Sequence, residues 1–218
     1  MILLGDVHQD KENLRAYLAH REAQPNSQPA ICVGDLGFDY DFFDFTKAPL
    51  MFIDGNHDFF PVFTPDHGIA TTRIRPGLVH ISRGTIFAET LFIGGAESID
   101  KARRLEGQDW FREESITYDQ MSKIVSELET NPVKRIVSHT CPASVAKQII
   151  DFLSLRIGQK PMTYTPYPSE KLLEELLKIA KPVEWYFGHF HVSFQTGFMG
   201  CKFRCLAPGE LLEIEDKP

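Results

Sequence analysis

The stretch Phe187-Gly188-His189-Phe190-His191 sets two histidines one residue apart, directly after the largely apolar run 183–187. Imidazole is the commonest metal ligand near neutral pH, and a tight turn can aim two rings into one site. A bare His-x-His is weak evidence. Four further stretches strengthen it: Asp6-Val7-His8, Gly34-Asp35, Gly55-Asn56-His57-Asp58 and His139 each stand just past a short apolar run. Imidazoles, carboxylates and an amide oxygen together form a mixed N/O donor set, which suits Mn²⁺, Fe or Zn²⁺ better than Ca²⁺ or a thiolate-bound metal. The donors are too many for one ion, and a carboxylate can bridge two. The chemistry they point to is that of a two-metal site.

Strands that end together must position such residues. Runs 1–4, 30–33 and 50–53 read as buried strands, and the segment from Asp10, with Leu14, Tyr17 and Leu18 three and four apart, reads as a helix that Asp10 caps. Strand, helix and strand in that order predict a parallel sheet. Segments 71–75, 78–81, 85–87 and 91–93, broken by Pro76-Gly77, Gly84 and Gly94-Gly95, read as antiparallel strands and hairpins. Periodicity predicts helices over 117–128, 143–153 and 169–180, a strand over 133–137, and closing strands over 193–196, 202–206 and 211–214. The aromatic, acidic segment 38–45 has no readable structure. In open α/β sheets ligands gather at the carboxyl ends of strands, so residues as far apart as Asp6 and His191 can converge.

Composition sets the bounds. A chain of 218 residues, 43% hydrophobic and 24% charged, is expected to fold as one domain over 1–218. A net charge of −7 supplies no basic track for long nucleic acid. No apolar run approaches the roughly 18 residues a membrane span needs, and the opening run 1–4 is too short for a signal peptide. Cys32, Cys141, Cys201 and Cys205 form no paired CxxC set, so reduced thiols in a cytoplasmic protein are expected.

The five motifs resemble those of the calcineurin-like metallophosphoesterase superfamily, whose signature is DxH, GD, GNH[DE], H and GHxH in that order. All five occur here in order between residues 6 and 191. The resemblance implies an α/β fold: a four-layer α/β/β/α sandwich with two central mixed sheets flanked by helices. It implies two divalent ions, with Mn preferred over Fe, Zn or Co. Asp6, His8 and His191 would hold the first, Asn56, His139 and His189 the second, and Asp35 would bridge both. It further implies hydrolysis of a phosphomonoester or phosphodiester by a metal-bound hydroxide. His57 would stand beside the metals as proton donor or phosphate ligand; Asp58 or another carboxylate is expected to orient it.

Other residues stand outside this pattern. Arg103 and Arg104 follow Gly94-Gly95-Ala96 closely enough to meet substrate phosphate, which a guanidinium fork matches. His20, His67 and His80 read as solvated or structural, Cys141 as a packed thiol, and Trp110-Phe111 as a packing corner. The Ser/Thr phosphatases of the superfamily carry GDxxDRG where this chain has Gly34-Asp35-Leu36-Gly37-Phe38-Asp39. The second Asp and the phosphate-binding Arg are missing from their places. A Ser/Thr phosphatase of that type is thereby the weaker alternative, while a small diester, a nucleotide and a phosphoprotein all stay open as substrates. A catalytically idle binding module should have lost ligands, and none is lost here.

Overall fold

The structure, a computed structural model, describes residues 1–63, 71–160 and 163–215. His67 lies outside them. Among the described residues twelve strands form two six-stranded sheets, in the orders β12-β1-β2-β3-β5-β4 and β10-β11-β9-β8-β7-β6. The first sheet is built on β1 (Ile2–Leu4), β2 (Ala30–Cys32) and β3 (Leu50–Phe52), which run parallel. The second is built on β8 (Arg135–Ser138) and β9 (Glu184–Phe187), also parallel.

Alternation along the strands creates three apolar layers. Ile2 and Leu4 face one way, into a cluster with Leu14, Tyr17, Phe45 and Phe52. Leu3 faces the other way, into a cluster with Ile31, Val33, Ile53, Phe92 and Val137 drawn from both sheets. A side-chain period of two makes this division automatic. The helix α1 (Arg15–Ala23) covers the outer face of the first sheet, through Tyr17. Three helices cover the second: α2 (Tyr118–Leu128), α3 (Ala143–Arg156) and α4 (Pro168–Ala180), through Met121, Ile124, Val145, Ile149, Leu173 and Leu177. The result is an α/β fold of four layers.

The middle of the chain departs from the sequence reading. β4 (Thr71–Arg75) and β5 (Leu78–Ile81) do form a hairpin, as do β6 (Thr85–Phe87) and β7 (Thr90–Ile93). The two hairpins belong to different sheets, and β5 and β7 each add a parallel partner, β3 and β8 respectively. The chain therefore crosses from one sheet to the other within 81–85. It returns at the end: β10 (Phe194–Phe198) and β11 (Cys201–Cys205) extend the second sheet, and β12 (Leu211–Glu213) pairs antiparallel with β1.

At two helical starts a side chain satisfies free N–H groups. Asp10 accepts from Glu12 N at 2.9 Å, but the turn it opens, Lys11–Leu14, is a 3-10 helix leading into α1. Thr117 and Gln120 form a reciprocal capping box on α2, at 3.2 Å and 3.0 Å. Thr117→Ala is expected to cost about 1 kcal/mol and to lower the thermal midpoint by about 2–4 °C, read by circular dichroism. An unchanged midpoint would mean that packing of Met121 and Ile124 alone holds the helix start.

Candidate metal centre

Each metal-ligand candidate stands just beyond a strand. Asp6 and His8 follow β1, Asp35 follows β2, Asn56 follows β3, His139 follows β8, and His189 and His191 follow β9. The loops are tied to one another: Val7 N and His8 N donate to Asp35 O at 3.1 Å and 2.8 Å, Gly188 N to His139 O at 3.0 Å, and Gly209 N to Asp6 O at 3.1 Å. Four of the ligand candidates have left-handed backbones: His8 (φ 53°), Asp35 (51°), His189 (67°) and His191 (51°). Such conformations are uncommon outside glycine, and strain of this kind clusters at functional sites.

Asp6, His8, Asp35 and His191 offer ligand atoms that all lie within 4.8 Å of one another. His8 Nε2 is 2.8 Å from His191 Nε2, and His191 Nε2 is 3.6 Å from Asp6 Oδ2. A second group adjoins the first. His139 Nε2 is 3.2 Å from Asn56 Oδ1, and the His139 and His189 rings are 5.1 Å apart. Asp35 stands between the groups, with Oδ2 3.8 Å from His8 Nε2 and Oδ1 3.3 Å from His139 Nε2. One oxygen faces each set.

The buried carboxylates and imidazoles shift one another strongly. Burial pushes Asp6 up to about 7, with the Asp35 charge adding to it against His139. Burial opposes ionisation of Asp35 as well, but the charge and hydrogen bond of His139, aided by His57 and His8, hold it well below the usual carboxylate range. Burial alone would lower His139; Asp35, Asp6 and the Val33 carbonyl instead raise it to about 10. Burial brings His8 down to about 4 and His189 to about 3, so both rings are neutral with lone pairs to offer.

The residues fit divalent ions. Asp6 Oδ1 is buried without a hydrogen-bond partner, an expensive state that a cation relieves. His139 Nδ1 donates to Val33 O at 2.9 Å, which fixes the ring and directs Nε2 into the site. A ligating histidine is commonly held this way.

His57 stands beside this centre. Its backbone N–H donates to Asp35 Oδ1 at 2.7 Å, and its ring lies 5.2 Å from that of His8. Arg104 Nη2 is 3.2 Å and 3.1 Å from the two His57 ring nitrogens, so the guanidinium meets the ring broadly rather than along one N–H direction. Asp100 holds Arg104 Nε at 2.8 Å, and Arg104 Nη1 donates to Asp109 O at 3.1 Å. Arg103 is exposed. Of the adjacent arginines, it is Arg104 that reaches the site.

Asp58 has a different task from the one expected. It is fully buried, and its oxygens accept from Gly37 N at 2.8 Å and Gly55 N at 2.7 Å, with the Tyr40 hydroxyl at 3.5 Å. It joins the loop after β2 to the loop after β3 instead of orienting His57, and burial pushes it up to about 8. His80 is buried, 3.1 Å from Asp54 Oδ1, and His20 pairs with Glu213 at 3.2 Å. Cys141 is packed in the core. Phe111 packs against Phe38, Phe59 and Phe60, while Trp110 Nε1 donates to Glu114 at 2.7 Å.

Two supports had escaped the sequence reading. Asp54 accepts from Arg83 Nε at 2.9 Å and Nη2 at 2.6 Å, and the same guanidinium reaches the Glu113, Glu114 and Ser115 carbonyls at 2.8, 3.1 and 3.0 Å. That cluster joins the end of β3 to the segment before α2. The Arg83 charge holds Asp54 below the carboxylate range against the effect of burial. The other support is Ser98, whose Oγ donates to Glu114 Oε2 at 2.9 Å. Asp54 adjoins a motif, which is a signal of sorts; Arg83, Ser98 and Glu114 carry none.

No protein-family model matches the chain, and no curated protein matches it. Among solved structures it is similar to "The crystal structure of Phosphopantetheinyl Hydrolase (PptH) from Mycobacterium tuberculosis", at 15% identity and a TM-score of 0.47, over 95% of this chain and 89% of that one.

Proposed function

We propose that residues 1–218 form one calcineurin-like metallophosphoesterase domain that hydrolyses a phosphomonoester or phosphodiester. Asp6, His8 and His191 would hold one divalent ion, Asn56, His139 and His189 a second, and Asp35 both. The observation that carries this reading is the placement of Asp35, one oxygen toward each histidine group. Bound there, two ions would supply Lewis acidity toward the phosphate and an attacking water of lowered pKa.

The chain's own residues do the rest. Arg104 is buried to all but 11% of its side chain, and its fork can take the outward phosphate oxygens. His57 gives a proton to the departing oxygen. Burial and Arg104 lower its pKa against the pull of Asp35, so the protonated ring is favoured on the acid side of neutrality. Turnover of substrates with poor leaving groups should therefore decline as pH rises. His57→Asn is expected to leave metal content near wild type and lower kcat at least about a hundredfold. That loss shrinks for good leaving groups, which need little protonation; equal loss across a leaving-group series would leave His57 only a phosphate ligand.

The deciding experiment is hydrolysis of p-nitrophenyl phosphate and bis-p-nitrophenyl phosphate after chelation and add-back of Mn²⁺. Activity that chelation removes and Mn²⁺ restores is expected. A folded protein inert toward both esters with Mn²⁺, Fe²⁺, Zn²⁺ and Co²⁺ would sink the proposal.

A further inference from the structure

The segment between β7 and α2 carries a buried hydrogen-bond chain that ends on Asn56. The Asn56 amide presents Oδ1 toward His139 Nε2 at 3.2 Å, while its Nδ2 donates to Ser98 Oγ at 3.2 Å. Ser98 Oγ donates in turn to Glu114 Oε2 at 2.9 Å, since an ionised carboxylate only accepts. The other oxygen, Oε1, accepts from Ser98 N and Trp110 Nε1, each at 2.7 Å. Asn56, Ser98 and Glu114 are 4%, 1% and 1% exposed, so water does not compete for these bonds.

The direction of the chain follows from its end. Two N–H donors occupy Oε1 of Glu114, leaving Oε2 for the Ser98 hydroxyl proton. The hydroxyl has then only lone pairs to offer Asn56, and only the NH₂ end of the amide can meet them. An asparagine free to flip would offer its oxygen or its nitrogen to a cation; here the oxygen is turned to the ligand side. Linked hydrogen bonds also polarise one another, which makes Oδ1 a better donor to a cation.

We propose that Ser98 and Glu114 are positioning residues that lock the Asn56 amide with Oδ1 toward the ligands, and so set the affinity of the ion shared by Asn56, His139 and His189. The inference rests on the two-metal reading above. It assigns Trp110 a part as well, as the donor that holds Glu114 in place.

Glu114→Gln tests it with little change of shape. The amide oxygen can still accept from Trp110 and Ser98 N, but the other atom becomes a donor. The Ser98 hydroxyl then has its proton to give to Asn56, which answers with Oδ1 and turns Nδ2 toward His139. Mn²⁺ titration of the chelated protein is expected to show two ions in the wild type. In Glu114→Gln one of them binds about 10–100-fold more weakly, the usual effect of losing a residue that orients a ligand. Ser98→Ala, which cuts the chain in the middle, gives the same result, and Glu113→Gln, an exposed neighbour, gives none. In the metal-free, ¹⁵N-labelled protein the Asn56 side-chain amide resonances shift in Glu114→Gln and Ser98→Ala while the melting temperature stays close to wild type.

Wild-type binding of both ions in Glu114→Gln and Ser98→Ala, with unmoved Asn56 resonances, overturns the inference and leaves the two-metal reading intact. Loss of both ions together with a lowered melting temperature in both variants also overturns it, because the residues then merely support the fold. A wild-type protein that takes up no divalent ion removes the two-metal reading and this inference with it.

Discussion

Asp35→Asn is expected to bind fewer than two Mn²⁺ ions and to lose on the order of 10⁴ in turnover, the rate equivalent of the several kcal/mol that metal-ion catalysis supplies. Asparagine suits this position: it has the same outline, tolerates the left-handed backbone at φ 51°, and keeps an oxygen for the His57 N–H. The fold should therefore survive while one of the two negative oxygens is replaced by an NH₂ group. Replacing a ligand that serves only one ion, as in His191→Asn, should cost less, since the second group would keep its full set. His191 is also half-exposed, so water can fill its place. Metal counting on both variants and kcat on an aryl phosphate are the measurements. Two ions and near-normal turnover in Asp35→Asn would mean that Asp35 does not bridge.

Gly55→Ala is expected to match it in effect without replacing any candidate ligand. A Cβ built on Gly55 would lie 2.2 Å from Asp35 Oδ1, 2.4 Å from Asp35 N and 2.8 Å from His139 Nε2. A flexible side chain could swing away from such an overlap; a backbone nitrogen held by the loop after β2 cannot. The methyl must push the loops after β2 and β3 apart, breaking the Asp58 contacts to Gly37 and Gly55 that join them. Overpacking of this kind costs about 1–3 kcal/mol in stability, and the displaced Asp35 and Asn56 should bind metal poorly. Gly197→Ala is the control, because the nearest atom to its added Cβ is 4.0 Å away. A Gly55→Ala protein with two ions and unchanged melting temperature would mean that the loops yield more easily than their packing suggests.

The same crowding explains why glycine recurs in the motifs. A Cβ on Gly34 would meet His139 Nδ1 at 2.2 Å, and one on Gly188 would meet Asp6 Oδ1 at 2.1 Å. Each glycine lets a candidate ligand from a different loop lie against its backbone. The motif spacing shows that a glycine stands there, but not which side chain needs its room.

The directions of Asp58 and of the two arginines were not legible for a related reason. Adjacent residues in an irregular loop point in different directions, and local pattern does not say which. Asp58 turns away from His57 into the buried join between two loops, and Arg103 points outward where Arg104 points in. Glu114, Ser98 and Arg83 are residue types found on any surface. Their burial beside the site depends on contacts between distant parts of the chain.

The sequence by itself determined the donor types, their order, and their places at the ends of apolar runs, because strand alternation and helix periodicity are local properties. It determined α2 and α4 nearly to the residue, through the helical pattern read over 117–128 and 169–180. Only the tertiary structure decided that the two hairpins of the middle part company, one to each sheet, since the pairing of β5 with β3 and β7 with β8 is set by which layer buries each strand. It also decided which oxygen of Asp35 faces which histidines, and that a buried carboxylate at Glu114 stands behind Asn56. Those are matters of ångströms between segments remote in sequence, which packing resolves and residue spacing does not encode.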